Sequence, residues 1–140
     1  MVNDNSPAGP KAPTVATETD AEGHPFDRAA ALEHLDGDGE LLKELAELFL
    51  AGFPDMLSRA RQAVADLDGQ ELAREAHTIK GCVANFVATR AFNAAVEVEM
   101  SAREGDLAAA QKGCTQLAIE VSRLASALTE LTGQAQPTPA

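Results

Sequence analysis

The strongest constraint on the fold is a spacing. Leu107, Ala110, Cys114, Leu117, Val121, Leu124, Leu128 and Leu131 recur at intervals of three and four residues. That is the seam of an amphipathic helix in heptad register. The same period runs through most of the chain between about Pro25 and Leu131, where Ala, Leu, Glu, Arg and Gln dominate. These are strong helix formers, and runs of β-branched residues, which favour strands, are missing. The spacing predicts an all-α protein.

Five helices are expected. A short one covers about Asp27–Leu35, and Asp36-Gly37-Asp38-Gly39 forms the turn after it. The second runs from about Glu40 to Leu67, with Leu41, Leu45, Leu48, Phe49, Phe53, Met56, Ala60, Val64 and Leu67 as its apolar stripe. Pro54 removes one backbone donor and predicts a kink. The third spans about Gln70–Phe86, with Leu72, Ala76, Ile79, Val83 and Phe86 inward. The fourth covers about Ala88–Arg103, and the fifth follows Asp106, a suitable N-cap, and stops at Gly133. Four long helices with short connections bury their stripes best as an antiparallel four-helix bundle, with the short N-terminal helix as an addition. An intermolecular coiled coil through the fifth helix is the competing arrangement, but three other helices need the same seam.

Outside this region the pattern stops. Residues 1–23 mix Asn, Ser, Thr, Gly, Pro and acids without period and read as a disordered tail, as do residues 133–140; the domain is expected over 24–132. The first residues lack the basic and apolar regions of a secretory signal. No apolar run approaches the roughly 20 residues of a membrane helix. A soluble, cytoplasmic chain without membrane insertion is therefore expected.

Charge narrows the function classes. Eleven Lys and Arg against 22 Asp and Glu leave a net charge of −11. So acidic a chain is ill-suited to a phosphate backbone, whose counterions it cannot release, and with no Trp or Tyr and five Phe it offers few stacking platforms. No nucleic-acid partner is expected. Cys82 and Cys114 fit neither a disulfide framework nor a metal motif and read as free thiols in helix packing. None of the three histidines has a glutamate three residues before it, so a di-metal carboxylate bundle is excluded; no metal or cofactor is expected. Phosphate-loop and nucleophile-elbow motifs are absent as well.

His24 falls in the tail and His34 near the end of the short helix, and both read as solvated residues. His77 differs. At about 100° per residue it points away from the stripe of its own helix. Its neighbours three and four residues away are Ala73, Arg74, Lys80 and Gly81, with Gln70 and Ala84 one turn further. Ala73, Gly81 and Ala84 leave a cleared floor around the imidazole, and Arg74 and Lys80 flank it with positive charge. A mid-helix glycine costs about 1 kcal/mol relative to alanine. Gly81 offers no local return for that cost, which suggests close approach by another surface. An exposed neutral imidazole is a nucleophile near neutral pH, and a lysine one turn away can offset the charge of a phosphoryl group. The alternative from geometry alone is a surface histidine among ordinary helix formers.

Ala76-His77-Thr78-Ile79-Lys80-Gly81, followed by Cys82-Val83-Ala84-Asn85-Phe86, resembles the signature of histidine-containing phosphotransfer (Hpt) domains: His-x-Leu/Ile-Lys-Gly and then small residues, on the second long helix of a four-helix bundle. Phe49-Leu50-Ala51-Gly52-Phe53-Pro54 and Glu104-Gly105-Asp106 resemble segments at the corresponding places in that family, so the likeness covers about Phe26–Leu128. The resemblance implies that His77 accepts a phosphoryl group from an aspartyl phosphate on a receiver domain, or from a hybrid histidine kinase, and passes it to a response-regulator receiver. It also implies that the receiver supplies Mg²⁺ and the catalytic machinery, so that this chain is a carrier and not an enzyme. Lys80 matches the family's lysine, and Gly81 the glycine beside which the receiver docks. A monomer is expected.

One departure is visible. Many members carry a second glycine ten residues after the histidine, where this chain has Val87, and a branched residue at positive φ is unfavourable. Glu99 falls on the inward face of the fourth helix, with Phe92, Ala95 and Val96. A buried acid needs a partner or its proton. In the chemotaxis-kinase branch a glutamate at this distance orients the histidine ring, and Glu99 could do so for His77. An ion pair with Arg74, Lys80 or Arg103 is the competing reading. For the chain as a whole, the alternative function is a helical binding module that docks a receiver or kinase without being phosphorylated.

Overall fold

The computed structural model describes residues 26–133, which form five helices and no strand. They are α1 Arg28–His34, α2 Gly39–Ala65, α3 Gly69–Ala84, α4 Thr89–Arg103 and α5 Leu107–Thr132. Residues 1–23 and 134–140 of the two expected tails lie outside the described residues, as does His24.

Local chemistry sets where the helices begin. The carboxylates of Asp27, Asp38, Asp68 and Asp106 each accept a hydrogen bond from the backbone N–H three residues on, at 3.0–3.1 Å, satisfying a donor that the first turn leaves unpaired. Only Asp106 of these was expected as a cap. Helix α4 starts differently: its N-cap, Ala88, has no side-chain acceptor and is buried, so a capping carboxylate at that position would be buried too. At the other end of α5, Gly133 takes the left-handed conformation (φ 76°) and donates to the Thr129 carbonyl, the glycine stop its sequence position predicts.

Packing runs in a ring. Helix α2 contacts α3, α3 contacts α4, α4 contacts α5, and α5 returns to α2, while α1 rests on α2. One core results. Leu42, Leu72, Ile79, Phe86, Leu117, Leu124 and Leu128 are its largest fully buried side chains, each stabilising the fold by about 1.5–3 kcal/mol relative to exposure. Phe86 lies edge-on to both Phe26 and Phe49, and Phe49 stacks on Phe53. The seam of α5 is thereby used within the chain: Ala110, Leu117, Val121, Leu124 and Leu128 are buried. All five expected inward residues of the third helix are buried as well.

Helix α2 departs from expectation. Its buried side chains are Leu42, Ala46, Phe49, Leu50, Phe53, Met56, Leu57, Ala60 and Ala63, whereas Leu41, Leu48 and Leu67 are exposed. Adjacent apolar residues let two registers satisfy the helical period, and the one through Leu42, Leu50 and Leu57 is buried. The helix runs on past Pro54 and ends at Ala65, and Leu67 sits in the turn with φ 55°.

Within the turn between α3 and α4, Val87 has φ 51°. The left-handed conformation that a glycine would favour at this position is adopted by a β-branched residue, for which it costs about 1–2 kcal/mol. Val87 is 36% exposed, so removing its side chain costs less than it would for a core valine. Val87→Gly is expected to stabilise the protein by about 1 kcal/mol after the extra unfolded-state entropy of glycine is subtracted, raising the melting temperature in a thermal scan. An unchanged or lower value would mean that Val87 packing outweighs the strain.

Candidate functional site

Helix α3 presents His77 outward because the five apolar residues of its stripe turn the opposite face to the core. The His77 side chain is 63% exposed, and its Nδ1 lies 3.1 Å from Glu99 Oε2 on α4. Glu99 is buried, at 7% exposure. Its carboxylate is the meeting point of the site. Oε1 pairs with Lys80 Nζ at 3.0 Å, and Oε2 accepts from Arg103 Nη2 at 2.7 Å and Arg103 Nε at 3.2 Å. These donors, with Arg103 first, hold the Glu99 carboxyl down to about 2 against the opposing pull of burial.

The charge state fixes the ring's proton. An ionised carboxylate only accepts hydrogen bonds, so Nδ1 of His77 is the donor. In the neutral imidazole, Nε2 then carries the free lone pair. The arrangement makes an exposed nitrogen nucleophile whose other nitrogen is tethered.

The remaining residues divide into two groups. An open groove of ≈ 530 Å³ is lined by Gln70, Ala73, Arg74, His77, Ala102 and Arg103. Three residues expected around the histidine, Gln70, Ala73 and Arg74, are thus gathered beside it, although Ala73 is buried. Arg74 pairs with Glu71 at 2.9 Å, not with Glu99. Gly81 and Ala84 are not among the groove's lining residues; Gly81 is exposed and Ala84 half-buried. Ala102 is not among the residues expected around the histidine, and Arg103 is expected only as one possible ion-pair partner of Glu99. The signal for Arg103 was its place four residues after Glu99, where helix side chains meet.

Two mid-helix glycines show what Gly81 is not for. A Cβ on Gly113 would stand 3.1 Å from Val98 Cγ2, so α4 and α5 approach closely there. A Cβ on Gly81, like one on Gly52, would meet nothing within 4 Å. Packing among the described residues therefore does not require Gly81. Burial pushes the thiols of both free cysteines up, away from the thiolate form needed for nucleophilic chemistry. Among the described residues, no group of three or more His, Cys, Asp or Glu is placed to hold a metal ion, and no helix is long and apolar enough to cross a membrane.

A family model, the Hpt domain, matches residues 44–127, more than half of the chain. The chain belongs to the Hpt family. Hpt domains serve phosphotransfer in two-component phosphorelays, as carriers and not catalysts, and they interact with receiver domains and kinases. No curated protein and no solved structure matches the chain.

The depressed Glu99 carboxyl has a consequence for stability. A carboxylate with a lowered value in the fold contributes stability that is complete above the ordinary 4.5 and is lost as pH falls toward about 2. Glu99→Gln is accordingly expected to be less stable than the wild type at pH 7, with the gap narrowing across that acidic window in urea titrations. A gap independent of pH would show that the ion pairs add no net stability.

Proposed function

We propose that this Hpt domain carries its phosphoryl group on Nε2 of His77, taking it from a receiver aspartyl phosphate or a hybrid histidine kinase and passing it to a response-regulator receiver. The observation that carries this reading is the His77–Glu99 contact. Glu99 is ionised, so the ring donates through Nδ1 and keeps Nε2 unprotonated. That lone pair attacks phosphorus, the bond from phosphorus to the aspartyl oxygen breaks, and the carboxylate leaves with the electron pair. No base is needed on this chain, because Nε2 holds no proton to remove. Mg²⁺ and the rest of the machinery belong to the receiver.

The other residues have roles in the same reading. Glu99 orients the ring, and Lys80, 27% exposed beside it, offsets the charge of the transferred group. Arg74, Gln70 and Ala73 border the approach. Gly81 and Ala84 leave the face low enough for a receiver to bring the reacting atoms within roughly 3–3.5 Å. Open space above Gly81 supports that role. So does the neighbouring groove between α2 and α3, which exposed Leu48 and half-buried Gly52 line together with Cys82 and Asn85. We take α2 to α5 as the antiparallel four-helix bundle of this family, which their short connections and ring of contacts support, and the domain as a cytoplasmic monomer, where receivers and their kinases work.

His77→Gln is expected to abolish label transfer from a phosphorylated receiver while changing stability by no more than about 0.5 kcal/mol, as for other exposed positions. Retained labelling would move the acceptor elsewhere, whereas a wild type that takes no label would favour a helical module that docks a receiver or kinase without being phosphorylated. Lys80→Ala should slow transfer at saturation by at least about tenfold with receiver affinity kept; a fall in affinity alone would make Lys80 a docking residue. Gly81→Glu should keep the helical signal and melting temperature but transfer poorly. Normal transfer would place the receiver's approach on another side.

A further inference from the structure

We infer that Arg103 is a positioning residue for His77, clamping Glu99 Oε2 in the place where that oxygen receives the ring N–H. Two of its nitrogens bind this single oxygen, Nη2 at 2.7 Å and Nε at 3.2 Å. The same oxygen stands 3.1 Å from His77 Nδ1. Lys80 pairs with the other oxygen, Oε1, at 3.0 Å. The terminal torsion of a glutamate is broad and roughly two-fold, so a carboxylate held by one lysine can turn either oxygen, or neither, toward the ring. The planar guanidinium removes that freedom, because its donors are fixed relative to one another. Arg103 itself is 61% exposed, so its side chain has no place in the core. Its side chain also lines the groove beside His77, and its influence on the ring passes through Glu99 Oε2, the oxygen the two share.

The consequence for phosphotransfer rests on His77 being the acceptor; the hydrogen-bond geometry does not. Without Arg103 the Nδ1–H tautomer loses its anchor and a share of the rings carries the proton on Nε2, where it blocks attack.

The test uses the full ¹⁵N-labelled chain, without a partner, as wild type, Arg103→Ala, Arg103→Lys and Glu99→Gln. Long-range ¹H–¹⁵N spectra at a pH where the imidazole is neutral report which ring nitrogen of His77 is protonated. The wild type is expected to hold the proton on Nδ1, Arg103→Ala to shift to a tautomer mixture resembling Glu99→Gln, and Arg103→Lys to restore part of the bias. Phosphorylation by phosphoramidate should be about tenfold slower in Arg103→Ala, the scale of a lost supporting partner, and partly recovered in Arg103→Lys. A ring spectrum in Arg103→Ala identical to the wild type overturns the inference, whatever the rates. So does a loss of rate with an unchanged tautomer, which would mean that Arg103 touches the phosphoryl group directly. If Arg103→Ala shifts the tautomer but the wild type takes no phosphate on His77, the positioning role stands and the phosphoryl-carrier reading falls.

Discussion

A carboxylate leaves water only where donors receive it, and Glu99 is the buried group on which this site depends. It lies on the same face of α4 as Ala91, Ala95, Val98 and Ala102, all buried, so helix packing draws it inward. Its charge survives because Lys80 and His77 reach it from α3 and Arg103 from its own helix. The requirement to satisfy one acid thereby joins the two helices at the surface and sets the register in which His77 faces α4. The tautomer of the ring and its exposed nitrogen follow from the same contact.

The core and the site place opposite demands on α3. Its inward side holds Leu72, Ala76, Ile79 and Val83 at essentially no exposure. Its outward side carries small or cationic residues and a glycine that no packing among the described residues needs. Gly113 shows the opposite case, where Val98 fills the space a side chain would take. The two glycines look alike in sequence, and only the surrounding packing separates one used for helix contact from one that leaves a surface open.

Much of this was legible in the sequence, for reasons that differ by residue. The stripe of α3 has a single apolar register, so the outward position of His77 follows from spacing alone. Asp106 and Gly133 sit at the ends of the clearest periodic run, where capping chemistry has little ambiguity. The inward position of Glu99 could be read from its neighbours on α4, but which cations meet it could not, since Arg74, Lys80 and Arg103 all stood within reach on paper. Arg74 is taken by Glu71. The stripe of α2 was legible in part: Phe49, Phe53, Met56 and Ala60 are buried as expected, but Leu41 and Leu48 are exposed, because Leu42 and Leu50 beside them also satisfy the period and only the partners across the core choose. Val87 is a partial case: a branched residue in place of glycine spoke against a positive φ, yet the backbone there is left-handed.

The most direct measurement is the position of the phosphorus atom. The full chain, ¹⁵N-labelled in histidine and loaded by a phosphorylated receiver, can be observed by ³¹P and ¹⁵N resonance before acid exposure. Because Glu99 holds Nδ1, phosphorus is expected on Nε2 of His77, with Nδ1 still protonated. Phosphorus on Nδ1, or on any other residue, would contradict the account.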